Sequence, residues 1–175
     1  MTQEYQIPPR PEIPERDQPI AVGETAPDFT LPGVGTDATP FDFTLSEFMG
    51  GQRGLLVFYQ DDGMPICTSE LKAIAQEFDL INEAGVRTAA INTNGVGSHQ
   101  RFQERDAFPF PLISDFHGDA VKGFGMWDPD EGKSRRAVVA LGPGREVVYV
   151  IPHFNPGNIN AYTEIFEALG LTQAG

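Results

Sequence analysis

A single cysteine, Cys67, is the residue best suited to covalent chemistry in this chain of 175 residues. It follows the apolar run Leu55-Leu56-Val57-Phe58-Tyr59 and the polar turn Asp61-Asp62-Gly63, and it stands just after Pro65. Proline is tolerated in the first turn of a helix, so Pro65 marks a helix start and puts Cys67 in that turn. Unpaired N–H groups and the helix dipole converge there and favour an anion. A thiolate at that place is expected to be stabilised, with a pKa below the ordinary value of about 8.5. The competing reading is a small buried hydrophobe, which is what most free cysteines are. Arg135 and Arg136 precede a second apolar run, Ala137 to Leu141. A guanidinium brought near Cys67 would favour the thiolate and orient the oxygens of a substrate. Two arginines before a strand equally suit a solvated edge, given how acidic the chain is.

The other candidates carry less. His99, His117 and His153 are scattered, and no second thiol exists, so the sequence gives little support to a metal site. Gly95-Val96-Gly97 lacks the third glycine of a dinucleotide fingerprint. Gly132-Lys133-Ser134 lacks the upstream glycine of a phosphate loop and reads as a turn. Trp127 and the acids from Asp128 to Glu131 read as a solvated loop with one packed aromatic. Twelve basic against 25 acidic residues give a net charge of −13. Such a surface repels phosphate backbones and anionic membranes, so neither nucleic acid nor membrane is an expected partner. No apolar run approaches the roughly 20 residues of a membrane helix. The N-terminus has no apolar h-region of a secretory signal, and one unpaired thiol suits a reducing cytoplasm.

These residues need a scaffold. Pro8, Pro9, Pro11, Pro14 and Pro19 make residues 1–20 an extended tail, because proline cannot donate to a ladder. One domain is expected over 21–175. Ala26 to Leu31 and Phe41 to Leu45 read as small edge strands or a hairpin. Leu55 to Tyr59 reads as a strand buried on both faces. A helix is expected from about Pro65 to Ala84, with Leu71, Ile74, Phe78 and Ile81 on one face and Gly85 as its stop. Val86 to Asn92 then completes a right-handed βαβ unit with parallel strands. Ser98 is expected to cap a short helix carrying Phe102. Phe108 to Ile113 reads as extended, and Asp115 to Phe124 as a brief helix or turn. Ala137 to Leu141 and Glu146 to Ile151 form a hairpin about Gly142 to Arg145. Asn158 caps a last helix with Ile159, Tyr162, Phe166 and Leu169 as its stripe and Gly170 as its stop. The class is α/β, a central sheet covered on both faces by helices, with Cys67 beyond the carboxyl ends of its parallel strands.

The run from Val57 to Leu71, VFYQDDGMPICTSEL, resembles the active-site segment of peroxiredoxins of the alkyl hydroperoxide reductase and thiol-specific antioxidant family. Val22 to Leu31 resembles the family's opening strand. Ser98-His99 with Phe102, then Phe108 to Asp115, resembles its middle, and Arg136 to Arg145 its late hairpin. The order and spacing of these segments are similar to the one-cysteine, bacterioferritin-comigratory group. The resemblance implies a thioredoxin-like fold with a central mixed sheet and an N-terminal β-hairpin. It implies Cys67 as the peroxidatic nucleophile and Arg136 as the cation that stabilises it. It also implies a peroxide contact at Met64, Pro65, Ile66 and Glu70, with Glu70 matching the acid or amide that hydrogen-bonds the arginine. An acid in a helix's first turn is favourable with the dipole in any case. No cofactor and no metal are implied.

Two positions depart from the family's pattern. Its proline seven residues before the cysteine is Gln60 here, and its hydroxyl residue three before is Met64. Methionine sulfur accepts weakly and cannot donate, so the expected peroxidase is weakened. The function implied is reduction of hydrogen peroxide or alkyl hydroperoxides through a sulfenic acid. With no second cysteine, an external thiol or a thioredoxin-like protein must reduce that acid. A homodimer is carried over as a weaker implication. The alternative is a redox-inactive or sensing relative that binds a partner. A thioredoxin-type disulfide reductase ranks last, because Met64-Pro65-Ile66-Cys67 is not CxxC.

Overall fold

Alternation along one strand divides the interior in two. Leu55, Val57 and Tyr59 pack into one core cluster, and Leu56 and Phe58 into another. Successive strand side chains point to opposite faces, so this strand is buried on both sides. A computed structural model describes residues 4–155 and 158–170, with the backbone alone at Ile159. The stripe position assigned to the Ile159 side chain lies outside the described residues. In chain order the elements are β1 (Thr30–Val34), β2 (Pro40–Thr44), α1 (Leu45–Met49), β3 (Arg53–Phe58), α2 (Pro65–Gln76), α3 (Phe78–Glu83), β4 (Val86–Asn92) and α4 (Val96–Asp106). They continue with β5 (Leu112–Ser114), α5 (Asp119–Gly123), β6 (Trp127–Asp128), β7 (Lys133–Ser134), β8 (Ala137–Leu141), β9 (Val147–Ile151) and α6 (Ile159–Ala168).

Seven strands form one mixed sheet in the order β2-β1-β5-β4-β3-β8-β9. β3, β4 and β5 run parallel, and the remaining pairings are antiparallel. Leu71 and Ile74 of α2, Ile81 of α3, Phe102 of α4 and Ile165 of α6 cover one face. Leu45 and Met49 of α1 with Ala120 and Val121 of α5 cover the other. This is the central mixed sheet with helices on both faces and an N-terminal hairpin, in a thioredoxin-like arrangement.

Several boundaries differ from the sequence reading, each for a local reason. The first hairpin strand sits later, at 30–34, the second ends one residue earlier, at 40–44, and Leu45 opens α1, which is too short for its period to be read. The helix expected over 65–84 is broken at Glu77, whose N–H turns to the Ile74 carbonyl and whose φ and ψ are −98° and 7°. Ser98 is not the cap of α4. Gly95 holds that place, because the Ser98 hydroxyl is drawn to the Asp62 carboxylate at 2.7 Å. Lys133-Ser134 is not a bare turn but pairs with Trp127-Asp128 as a two-stranded ribbon. Asn158 caps α6 by accepting from the Asn160 N–H at 3.1 Å.

The described part of the tail, residues 4–20, is extended and lies along the body. Arg16 donates its backbone N–H to the Lys122 carbonyl, and Ile20 donates to that of Phe124. A Cβ at Gly123 would stand 2.2 Å from Ile13 Cγ2, and one at Gly125 would stand 2.2 Å from the Gln18 carbonyl oxygen. Only glycine lets the tail approach that closely.

Candidate active site

Proline at the first position of α2 fixes where the helix starts, and Cys67 follows in its first turn, fully buried. Met64 is the N-cap residue, and its side chain caps nothing. Cys67 Sγ lies 3.8 Å from Met64 Sδ, a weak contact in the place where the family pattern has a hydroxyl. Ile66, next to the cysteine, is 40% exposed and marks the outer surface of the site.

The thiol's electrostatics correct the sequence expectation. Burial pushes the Cys67 pKa up, and this outweighs everything that pulls it down. The opposing groups are the backbone N–H groups of Asp61 and Gln60, with the charge of Arg136 behind them, while Glu70 adds to the upward shift. The favourable amides therefore come from the turn before the helix. The thiolate-stabilising helix terminus read from the sequence is overridden by complete removal from water.

Arg136 is the arginine that acts on this sulfur. Its neighbour Arg135 turns away, donating Nη1 to His153 Nε2 at 3.0 Å and Nε to the Trp127 carbonyl at 3.4 Å. Arg136 does not hydrogen-bond Glu70, as the resemblance had implied. Its Nη1 donates to Gln60 Oε1 at 2.8 Å, so the amide in the family's proline position supplies a competing acceptor. Arg136 Nε and both Glu70 carboxylate oxygens are buried without partners. Burial holds the Glu70 carboxyl, on α2 one helical turn after Cys67, well above its usual range despite Arg136.

The turn from Gln60 to Met64 is pinned by residues that spacing did not reveal. Asp62 accepts from the Tyr59 hydroxyl at 2.7 Å, Asn92 Nδ2 at 3.2 Å and the Ser98 hydroxyl at 2.7 Å. His99 Nδ1 stands 2.7 Å from the same carboxylate, and His99 Nε2 stands 3.0 Å from the Ile113 carbonyl. Burial alone would raise the Asp62 pKa. The hydrogen bond and charge of His99, with the Tyr59 and Ser98 hydroxyls, overcome it and hold the carboxyl below its usual range. Lys133 pairs with Asp61 from the ribbon side. One signal was available in the sequence: Asp62 and the Ser98-His99 pair each follow a parallel strand, where such side chains meet.

A cavity of about 690 Å³ opens beside the site, with Gln60, Ile66, Arg136 and Phe154 among its walls. No described helix is long and apolar enough to cross a membrane.

The AhpC/TSA family model matches residues 22–150. The selenocysteine-containing peroxiredoxin of Peptoclostridium acidaminophilum is 28% identical over 133 residues, covering 71% of this chain and 64% of that protein. The peroxiredoxin Bcp of Escherichia coli is 32% identical over 109 residues, covering 62% of this chain and 67% of that protein. The chain thus spans about two thirds of the length of these two relatives. Among solved structures, peroxidoxin BcpB of Mycobacterium tuberculosis superposes with a TM-score of 0.74 at 25% identity, over 87% of this chain and 98% of that one. A family match over most of the chain, a thioredoxin-like sheet and a buried cysteine at the head of α2 agree, and the chain belongs to the AhpC/TSA family, the peroxiredoxins.

Proposed function

We propose that the chain is a one-cysteine, thiol-dependent peroxidase that reduces hydrogen peroxide or an alkyl hydroperoxide. Cys67 as thiolate attacks the terminal peroxide oxygen, the O–O bond breaks, and the departing oxygen leaves as water or alcohol after taking up one proton. The sulfur is oxidised to a sulfenic acid and the peroxide is reduced. Arg136 and the amides of Gln60 and Asp61 stabilise the anionic sulfur and the charge that develops on the departing oxygen. Cys67 is the one cysteine in the chain, so an external thiol must return the sulfenic acid to thiol.

One observation carries this reading: the amides of Gln60 and Asp61 and the charge of Arg136 converge on a cysteine in the family's active-site segment. The experiment is one equivalent of peroxide followed by a sulfenic-acid trap and mass spectrometry. The expected product is one trapped oxidation at Cys67, absent in Cys67→Ser, with peroxide consumed when thiol is in excess. An unmodified Cys67 with no peroxide consumption would make the chain a relative that binds without reacting.

A further inference from the structure

Cys67 Sγ touches a second sulfur. Met64 Sδ lies 3.8 Å away as the acceptor of the thiol's S–H, so a lone pair of the thioether faces Sγ. Cys67 is fully buried, and Met64 packs against the same core cluster, partly buried. The helix start fixes the pair. Met64 is the N-cap of α2, and the Thr68 N–H closes the first turn on the Met64 carbonyl at 2.8 Å. That hydrogen bond has a second consequence. A sulfenic acid condenses with a thiol or with a backbone nitrogen. Cys67 is the one cysteine in the chain, and the next nitrogen along it, that of Thr68, is held in the helix. The thioether needs no route to the sulfur, because it is already in contact with it. Met49 and Met126 belong to the core on the opposite face of the sheet.

Resting on the peroxidase reading, we propose that Met64 is a modification site: when no external thiol arrives, its thioether takes the oxygen of the Cys67 sulfenic acid, becomes methionine sulfoxide and returns Cys67 to thiol. The chemistry balances. A lone pair of Met64 Sδ attacks the sulfenic sulfur, an S–S bond forms, the S–O bond breaks, and the oxygen leaves as hydroxide. Water adds to the sulfonium sulfur of Met64, the S–S bond breaks, and the electron pair goes to Cys67. Of that water's two protons, one neutralises the hydroxide and the other returns to the Cys67 thiolate. The methionine sulfur is oxidised by two electrons and the cysteine sulfur is reduced by two, so the peroxide that formed the sulfenic acid is the oxidant for both. The transfer runs once per chain, since Met64 is then spent, and later turnovers draw on the external thiol. It moves an oxidation that could climb to an irreversible sulfinic acid onto a sulfoxide, which methionine sulfoxide reductases reverse.

The test treats the full chain with one equivalent of hydrogen peroxide and no thiol. Aliquots taken over time are quenched with a sulfenic-acid trap and an alkylating agent, and fragment mass spectra separate residue 64 from residue 67. Trapped sulfenic acid at Cys67 should fall as Met64 sulfoxide rises, with Cys67 recovered as alkylated thiol. Contact gives the thioether the advantage of an intramolecular nucleophile, so Met64 sulfoxide should exceed that in Cys67→Ser by about tenfold or more. Met49 and Met126 should stay unoxidised. In Met64→Leu the trapped sulfenic acid should outlive that of the wild type several-fold. Equal Met64 oxidation in Cys67→Ser would mean direct attack by peroxide and would overturn the proposal. A Cys67 sulfenic acid that persists or advances to sulfinic acid beside an unmodified Met64 would overturn it too, while leaving the peroxidase reading in place. If neither residue is modified, the peroxidase reading fails and the transfer fails with it, so the state of Cys67 tells the two failures apart.

Discussion

Cys67 is pulled in two directions, and the side groups that pull can be removed one at a time. Burial and Glu70 push its pKa up, while the Gln60 and Asp61 amides and Arg136 pull it down. The net shift is upward, so alkylation should track a midpoint above the ordinary value of about 8.5. Glu70 opposes the thiolate, so Glu70→Gln should lower the midpoint, whereas Arg136→Gln should raise it further. Alkylation rate against pH measures both, and shifts of the same sign would contradict this balance. Met64 supplies the second prediction at this scale. It caps nothing, and its sulfur offers no proton to a bound peroxide. Met64→Thr places a hydroxyl at the N-cap of α2, where Thr is a favoured cap. One hydrogen bond to a charged group is worth about 1.5–3 kcal/mol, so the rate of sulfenic acid formation should rise by about tenfold or more. An unchanged rate would mean that Gln60 or the loop amides already serve in its place.

At the level of elements, Asp62 ties the turn before α2 to the end of β4 and the first turn of α4. Asp62→Asn keeps the shape but removes the charge opposite His99, leaving that buried ring without its carboxylate. Leaving a buried hydrogen-bonding group without its carboxylate partner in this way costs about 1–3 kcal/mol. The depressed Asp62 pKa sets the pH window: its contribution is present above the unfolded value of about 3.9 and is lost as pH falls through the lower folded value. Chemical denaturation should therefore show a gap between wild type and Asp62→Asn at pH 7 that narrows in acid, and a constant gap would place the effect elsewhere. This network also shows where sequence reading stops. β3, β4, the start of α2 and the late hairpin were legible, because apolar runs, Pro65, Gly85 and the turn at Gly142 to Arg145 are local signals. The place of Cys67 in the first turn of α2 was legible from Pro65, while its role and the choice of Arg136 over Arg135 rest on the family pattern. The Asp62–His99 contact joins residues 37 apart, and Gln60–Arg136 joins residues 76 apart. No periodicity encodes such pairs. The sign of the thiol's shift was missed for a related reason: a helix start is visible in sequence, whereas complete burial of the one cysteine in its first turn is a tertiary fact.

For the whole molecule, the tail is held by fit more than by charge. Arg10 pairs with Asp119, and Arg16 with Glu24, both cation-to-acid contacts in a chain of net charge −13. Contacts at such partly exposed places are screened by salt and contribute little alone. The close approach of Ile13 to Gly123 is different, because it has no room for one added carbon. Gly123→Ala separates two effects of opposite sign. Alanine in a helix is favoured over glycine by about 1 kcal/mol, so α5 itself should gain. A Cβ 2.2 Å from Ile13 Cγ2 must instead displace the tail. Trypsin cleavage after Arg16, now half-buried and ion-paired, reads the second effect directly. Gly123→Ala should be cut there several-fold faster than wild type at equal body stability, and Asp119→Asn, which loses only the Arg10 pair, should be cut nearly as slowly as wild type. Raising the salt should speed cleavage of wild type only slightly, since the remaining contacts are steric and backbone hydrogen bonds. If Asp119→Asn and high salt released the tail as fully as Gly123→Ala, charge would be the restraint, and the glycine would be there for α5 alone.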